Sequence, residues 1–140
     1  VKPISSQAKL ADFITFFPLN RHFKPNETKY DWLSRNRDAL KRYLDDPLCG
    51  DTASWGYFYS LNQHLLTIIS NNKHQRRLPS TLFIIGEYDP LSNFGKKILA
   101  YLKRNSQEYK KVIKYNIPGA RHKVEYDNNQ SLVLEKMKKY

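Results

Sequence analysis

Two residues of this sequence have the types and the spacing that acid–base chemistry requires. Asp89 follows one apolar run, within the turn Gly-Glu-Tyr-Asp-Pro (86–90), and His122 follows another, at the end of the turn Pro-Gly-Ala-Arg-His (118–122). A carboxylate that accepts the Nδ1–H of an imidazole fixes the tautomer of the ring. It also stabilises the imidazolium that forms when the ring takes a proton from a serine hydroxyl. Asp89 and His122 are therefore candidates for the acid and the base of an acyl-transfer site.

The elements around these two residues predict that they meet. Residues 81–85 are apolar on both faces, as is typical of a strand buried in a parallel sheet, and residues 111–117 read as a second strand. A helix that begins at Ser92 or Asn93 is predicted between them, with an inward face of Phe94, Ile98, Leu99 and Leu102. Such a crossover makes the strands parallel, as neighbours or near neighbours in the sheet. Their carboxyl ends then share one edge, where open α/β sheets gather function.

Each of the two residues also has a purely structural interpretation. An Asp-Pro after a strand is often only a turn, and a lone histidine after Pro-Gly is often structural. From spacing alone, catalysis and structure explain the pair of Asp89 and His122 equally well.

The chain divides near residue 78 into a helical part, residues 1–77, and an alternating part, residues 78–140. In the first part, a helix is predicted over residues 8–17 and a loop over residues 20–30. Asn36 and Ser54 are predicted N-caps of the next two helices. The helix after Ser54 is apolar on two faces, so it must be covered on both sides or face an apolar cavity. Polar residues 71–77 read as a surface connection, and a last helix is predicted over residues 129–139.

The predicted sheet is incomplete with two strands. Parallel sheets have further strands beside them and helices on both faces. The fold class is therefore α/β, with only part of the fold represented. The free edge of the strand over residues 81–85 is a template for pairing, so formation of a homodimer through it is an open alternative.

Four short motifs follow one another along the chain. They are Thr-Lys-Tyr-Asp-Trp-Leu-Ser-Arg (residues 28–35), Asp-Pro-Leu-Cys-Gly (46–50), Gly-Glu-Tyr-Asp-Pro (86–90) and Pro-Gly-Ala-Arg-His (118–122). In this order they resemble the monoacylglycerol lipase and lysophospholipase-like branch of the serine α/β-hydrolases. The resemblance runs from about residue 20 to the end. Lys123 departs from the family pattern, since the family usually has Glu at this position. The departure bears on the packing of the loop that carries His122.

The resemblance implies the C-terminal part of an α/β-hydrolase fold. Residues 1–77 would be the end of a helical cap or lid, and residues 78–140 the last two parallel strands with their helices. The substrate would be a small lipid-like ester, and His122, held by Asp89, would take and return the proton of a serine. Trp55, Phe58 and Leu65 of the cap helix are candidates for an acyl pocket. Neither a cofactor nor a metal is implied, and His22, His64 and His74 have no partner at ligand spacing.

No Gly-x-Ser-x-Gly motif occurs in the 140 residues. The nucleophile and the oxyanion hole are therefore expected in the missing N-terminal half of the same fold. Val1 in place of an initiator Met agrees with a chain cut from a longer one. The chain alone is expected to be inactive, and the longer protein is expected to be a carboxylic-ester hydrolase.

The composition leaves two further classes of function open. A formal net charge of +11 indicates nucleic acid or an anionic membrane surface as a partner. However, the basic residues are scattered and no aromatic stripe interleaves them, so solvated lysine-rich faces are favoured and no nucleic acid is expected as a partner, with a nucleic-acid-binding domain kept as the alternative function. Transient contact with a membrane surface, and a non-catalytic interaction domain with a vestigial Asp–His pair, stay open. The single cysteine, Cys49, favours the cytoplasm, and no apolar run is long enough to cross a membrane.

Overall fold

The computed structural model describes residues 3–70 and 78–140. The first part contains three α-helices, α1 (Lys9–Phe16), α2 (Arg37–Asp45) and α3 (Trp55–Ser70). Both predicted N-caps are confirmed. The Asn36 side chain accepts the backbone N–H of Ala39 at 3.1 Å, and the Ser54 hydroxyl accepts that of Tyr57 at 3.1 Å. The connection predicted over residues 71–77 lies outside the described residues.

The second part has the predicted order of strand, helix, strand and helix. These elements are β1 (Thr81–Gly86), α4 (Lys96–Asn105), β2 (Val112–Ile117) and α5 (Gln130–Lys138). The two strands pair in parallel, from Thr81 opposite Val112 to Gly86 opposite Ile117. Their carboxyl ends therefore lie side by side, as the crossover predicts. The fold is consistent with part of an α/β-hydrolase fold.

Two predicted boundaries are wrong. After α1 the chain does not become a loop. It continues as a 3₁₀ helix over Phe17–Phe23, because Pro18 is compatible with the first turn of a helix. The helix predicted from Ser92 or Asn93 begins only at Lys96, because Asn93, Phe94 and Gly95 have φ angles of 52°, 57° and 77°. A right-handed helix cannot form through left-handed residues.

The predicted burial of β1 and α4 is only partly confirmed. In β1, only Ile85 and Gly86 are buried and the four preceding residues are half-buried, since the described residues contribute only two strands to the sheet. In α4, Leu102 is buried, whereas Leu99 is 43 % exposed and Phe94 lies outside the helix, against the ring of His22.

The described residues leave most of α3 uncovered. Its residues from Leu61 to Ile68 are all exposed, and they include apolar side chains on more than one face. The expected cover on both faces is therefore not supplied by residues 3–70 and 78–140. No helix within these residues is long and apolar enough to span a membrane.

Two apolar clusters form the core of the described residues. One is built on Trp32, Leu33 and Leu40, and aromatic side chains from α1, the 3₁₀ helix and α2 pack against it. The other is built on Ile117, Ala120 and Val133, at the end of β2 and on α5. The chain that follows β2 therefore packs on the sheet, while the residues around Trp32 pack on the helical part.

Gly86 lies where β1 passes directly under the loop after β2. A Cβ at this position would lie 2.7 Å from the backbone oxygen of Ala120 and closer still to that of Arg121. Since both obstacles are backbone atoms, a side chain here must displace the loop.

We therefore predict that Gly86→Ala lowers the free energy of unfolding by about 2 kcal/mol or more. Gly95→Ala is the matched control, because its Cβ would meet only Ile85 at 3.5 Å and the cost comes from its positive φ, about 1–2 kcal/mol. Urea denaturation of the three proteins measures both effects. A smaller loss for Gly86→Ala than for Gly95→Ala would contradict the close backbone approach.

Candidate active site

Asp89 and His122 lie in hydrogen-bond contact. The Nδ1 atom of His122 is 3.1 Å from Oδ1 of Asp89, and the backbone N–H of Leu91 donates to the same oxygen at 3.0 Å. Because the acceptor is a carboxylate, Nδ1 is the protonated nitrogen of a neutral ring. The Asp89 side chain is 12 % exposed and that of His122 is 35 % exposed. The pair thus has a buried acid and an imidazole that solvent can reach.

The loop that carries Asp89, residues 87–95, is closed by its own hydrogen bonds. The backbone oxygen of Asp89 accepts the N–H of Phe94 at 2.8 Å and the hydroxyl of Ser92 at 3.1 Å. The Ser92 oxygen in turn accepts the N–H of Gly95 at 2.9 Å. Asp89 is therefore part of a turn, which agrees with the structural interpretation of its Asp-Pro sequence. Its carboxylate, however, also contacts His122.

The pKa of the Asp89 carboxyl lies below its ordinary value. Burial by itself raises this pKa, but the hydrogen bond from His122 and the charge of that ring lower it. The Ser92 hydroxyl and the Leu91 N–H act in the same direction. Asp89 is thus ionised at neutral pH and can accept the Nδ1–H of His122.

The loop that carries His122, residues 118–127, is called the histidine loop below. Two hydrogen bonds tie it to the loop of Asp89. The side chain of Glu87 accepts the backbone N–H of Gly119 at 2.6 Å, and the N–H of Tyr88 donates to Ala120 at 2.8 Å. These bonds extend the pairing of β1 with β2 and fix the spacing between the two loops.

On its other side the histidine loop contacts residues 31–36, which precede α2. The backbone N–H groups of His122 and Lys123 donate to the oxygens of Trp32 (3.3 Å) and Leu33 (2.8 Å). The Trp32 ring lies 5.3 Å from the imidazole, centroid to centroid. His122 is therefore held by a carboxylate on one side and by a buried tryptophan segment on the other.

Two charged residues strengthen this second contact. Asp127 accepts N–H groups from Arg35, Arg121 and Asn128. The guanidinium of Arg121 donates to the backbone oxygens of Asp31 and Ser34. Sequence reasoning missed Asp127 and Arg35, because no local pattern marks a contact between residues so distant in the chain.

His122 lies at a cavity of about 820 Å³. Seven aromatic side chains line this cavity, from α1, the 3₁₀ helix, residues 30–32, α2 and α3: Phe13, Phe16, Phe17, Tyr30, Trp32, Tyr43 and Tyr57. The predicted pocket residues Trp55, Phe58 and Leu65 are not among its lining residues, although Tyr57 of the same helix is. The aromatic residues of α1 are the feature of the sequence from which this side of the cavity could have been predicted.

Lys123, the departure from the family pattern, also lines the cavity. Its ammonium lies 5.5 Å from the centre of the Tyr126 ring, within cation–π range, and its backbone N–H is bonded to Leu33. The histidine loop therefore keeps its contacts at the position where the sequence departs from the pattern.

The other histidines have different surroundings. His22 packs edge-on against Phe94, and His64 bonds within its own helix to the backbone oxygen of Ser60 at 2.7 Å. His74 lies outside the described residues. Within residues 3–70 and 78–140, no cluster of three or more His, Cys, Asp or Glu side chains could hold a metal.

A nucleophile is not in contact with His122 within the part of the chain that the structure describes. Two serine hydroxyls in the adjoining segments are bonded to other groups: that of Ser92 bonds to the backbone of Asp89 and Gly95, and that of Ser34 donates to the backbone oxygen of Tyr126 at 2.9 Å. The described residues thus form a hydrogen-bonded Asp–His pair with a cavity beside it.

The sequence model of one protein family matches residues 4–129, and that family is described as serine aminopeptidase, S33. The match includes Asp89, His122 and residues 31–36. A comparison with curated proteins finds no match.

We predict that the stabilising effect of the Asp89 carboxylate is lost in acid. The folded pKa of Asp89 lies below the ordinary value, which is about 3.9 in an unfolded chain. Its contribution is therefore complete above pH 4 and decreases as the pH falls through the folded pKa. Urea denaturation at pH 6 and pH 3 should show that Asp89→Asn costs less stability at pH 3. An equal cost at both pH values would contradict the ion pair with His122.

Proposed function

The chain belongs to the serine aminopeptidase S33 family of α/β-hydrolases, and on that premise we propose that it supplies the acid and the base of a serine hydrolase for small lipid-like carboxylic esters. The observation that carries the proposal is the hydrogen bond between Asp89 and His122 beside an aromatic cavity. In this proposal Asp89 and His122 are catalytic, and the cavity holds the acyl chain.

The proposed reaction is acyl transfer in two steps. The Nε2 atom of His122 takes the proton of a serine hydroxyl as the serine oxygen attacks the ester carbonyl carbon. His122 then gives that proton to the alcohol oxygen that leaves, and an acyl-serine remains. A water molecule, deprotonated by the same nitrogen, then attacks the acyl carbon; the bond to the serine oxygen breaks, His122 returns the proton to that oxygen, and the carboxylic acid leaves. Asp89 keeps the ring in the productive tautomer throughout and stabilises the imidazolium.

The nucleophilic serine of the proposal belongs to a part of the fold outside these 140 residues. Two facts support this. The sequence has no Gly-x-Ser-x-Gly elbow, and the described serines near the site are bonded elsewhere. Loss of the nucleophile removes the acyl-enzyme route itself, so these residues alone are proposed to be inactive.

An apolar acyl group fits the cavity better than the charged end of a peptide. Seven aromatic side chains line the cavity and provide a large apolar surface. The resemblance of the four motifs to the monoacylglycerol lipase and lysophospholipase-like branch points in the same direction. The substrate of the proposal is therefore an ester of a fatty acid.

An aminopeptidase is the second candidate, because Asp12 and Asp51 line the same cavity and a substrate ammonium needs a carboxylate. Against it, one oxygen of Asp12 already accepts the backbone N–H of Ala53 at 2.9 Å. Lysine residues also outnumber the acids around the cavity: Lys9, Lys29 and Lys123.

Binding to the 140-residue chain tests which substrate class is right. We expect 1-decanoylglycerol to shift the NMR signals of the Trp32 indole and the His122 ring, because both line the cavity. Leucinamide, which carries a free ammonium, should leave them unchanged. Phe13→Ala should weaken the response to the acylglycerol, while Tyr59→Ala, on an exposed part of α3, should not. A response to leucinamide alone would favour the aminopeptidase.

Activity tests the catalytic roles. The 140-residue chain should not hydrolyse 4-nitrophenyl butyrate above the rate measured with its own His122→Ala variant. In a protein that also carries the nucleophile, Asp89→Asn should lower kcat by roughly 10⁴-fold, and His122→Ala should lower it by roughly 10⁶-fold. His64→Ala is the control, since this exposed ring bonds only within its helix. Full activity of His122→Ala in that protein would rule out the proposed base.

A further inference from the structure

We propose that Asp127 is a positioning residue for His122, which fastens residues 31–36 to the histidine loop and so holds the imidazole against Asp89. The inference rests on the proposed function, in which His122 is the base. It adds a residue that does not contact the reacting atoms and acts through the backbone on either side of His122.

Asp127 is one of the most deeply buried side chains of the described residues, at 1 % exposed. Its carboxylate accepts four N–H groups, from the backbone of Arg35 at 3.0 Å, Nε of Arg35 at 2.8 Å, Arg121 at 3.2 Å and Asn128 at 2.7 Å. A buried carboxylate is costly unless its acceptor sites are filled. Here they are filled from both sides of the contact, by Arg35 of residues 31–36 and by the N–H groups of Arg121 and Asn128, so Asp127 links the two segments through one buried side chain.

The contacts of Asp127 lead directly to His122. Arg121 precedes His122, and its N–H is held by Asp127. Arg35, held by the same carboxylate, ends the run whose Trp32 and Leu33 oxygens accept the N–H groups of His122 and Lys123. The two segments that meet at the backbone of His122 therefore share one buried carboxylate, that of Asp127. Without the charge of Asp127, the loop can move away from Trp32, and the ring can turn away from Asp89.

Asp31 provides a matched comparison. It is as buried as Asp127, at 1 % exposed. However, its carboxylate accepts N–H and O–H groups from Glu27, Thr28 and Arg37, all within ten residues of it. Asp31 therefore organises its own segment, whereas Asp127 connects that segment to the histidine loop. A general effect of losing a buried carboxylate should appear in both, and a positioning effect only in Asp127.

The test is the tautomer of the His122 imidazole in the 140-residue chain, read from ¹⁵N chemical shifts above pH 8. In the wild type we expect the Nδ1–H form to dominate, because Asp89 accepts that proton. In Asp127→Asn the Nε2–H form should rise by roughly threefold or more, because the ring is no longer held. Asp31→Asn should leave the tautomer unchanged, although thermal unfolding should show that both variants are less stable.

Arg35→Met provides a second variant if Asp127→Asn does not fold. It removes the Nε–H donor from a side chain that is 32 % exposed and leaves the backbone bonds to Asp127 in place. A smaller shift in the same direction is expected. An unchanged tautomer in either folded variant, or an equal shift in Asp31→Asn, would overturn the role of Asp127. Since no substrate is used, such a result leaves the proposed hydrolase function intact, and that function is tested separately by ligand binding and by the activity of His122→Ala.

Discussion

The backbone contact between residues 31–36 and the histidine loop holds the two parts of the described chain together. Each part has its own apolar cluster, one around Trp32 and one around Ile117. The hydrogen bonds from His122 and Lys123, and the buried charges of Asp127 and Arg121, join them. This contact also brings the aromatic cavity to His122, since Trp32 belongs to both.

The sequence was sufficient to predict the parallel strands and the contact between Asp89 and His122, for a simple physical reason. Strands buried in parallel sheets are continuous apolar runs, and a helical crossover has one hand, so adjacency of β1 and β2 followed from local patterns. The meeting of Asp89 with His122 followed from adjacency, because both stand just beyond a strand end. The caps at Asn36 and Ser54 were equally local, since each needs only a side-chain oxygen and an N–H three residues later.

The lining of the cavity could not be predicted in the same way. Periodicity identifies an apolar helix face but not what the face contacts, so Trp55, Phe58 and Leu65 were as plausible as Tyr57. The aromatic residues of α1 line the cavity because the chain turns back through a 3₁₀ helix. A loop was expected in this part of the chain, so the position of α1 beside the cavity was not predicted. Asp127 and Arg35 were invisible for a related reason. Their ion pair is a tertiary contact, and the local sequence around each residue does not indicate which distant residue it contacts.

The contact between Arg35 and Asp127 spans 92 positions of the chain. Closing a loop of that length has an entropic cost on the order of 4 kcal/mol for a flexible chain. Burial of the two apolar clusters is needed to offset this cost. Long-range contacts of this kind slow folding and assemble late. In a partly folded chain, His122 has neither its tryptophan nor its anchored backbone, so the imidazole becomes ordered only when the whole described structure is complete.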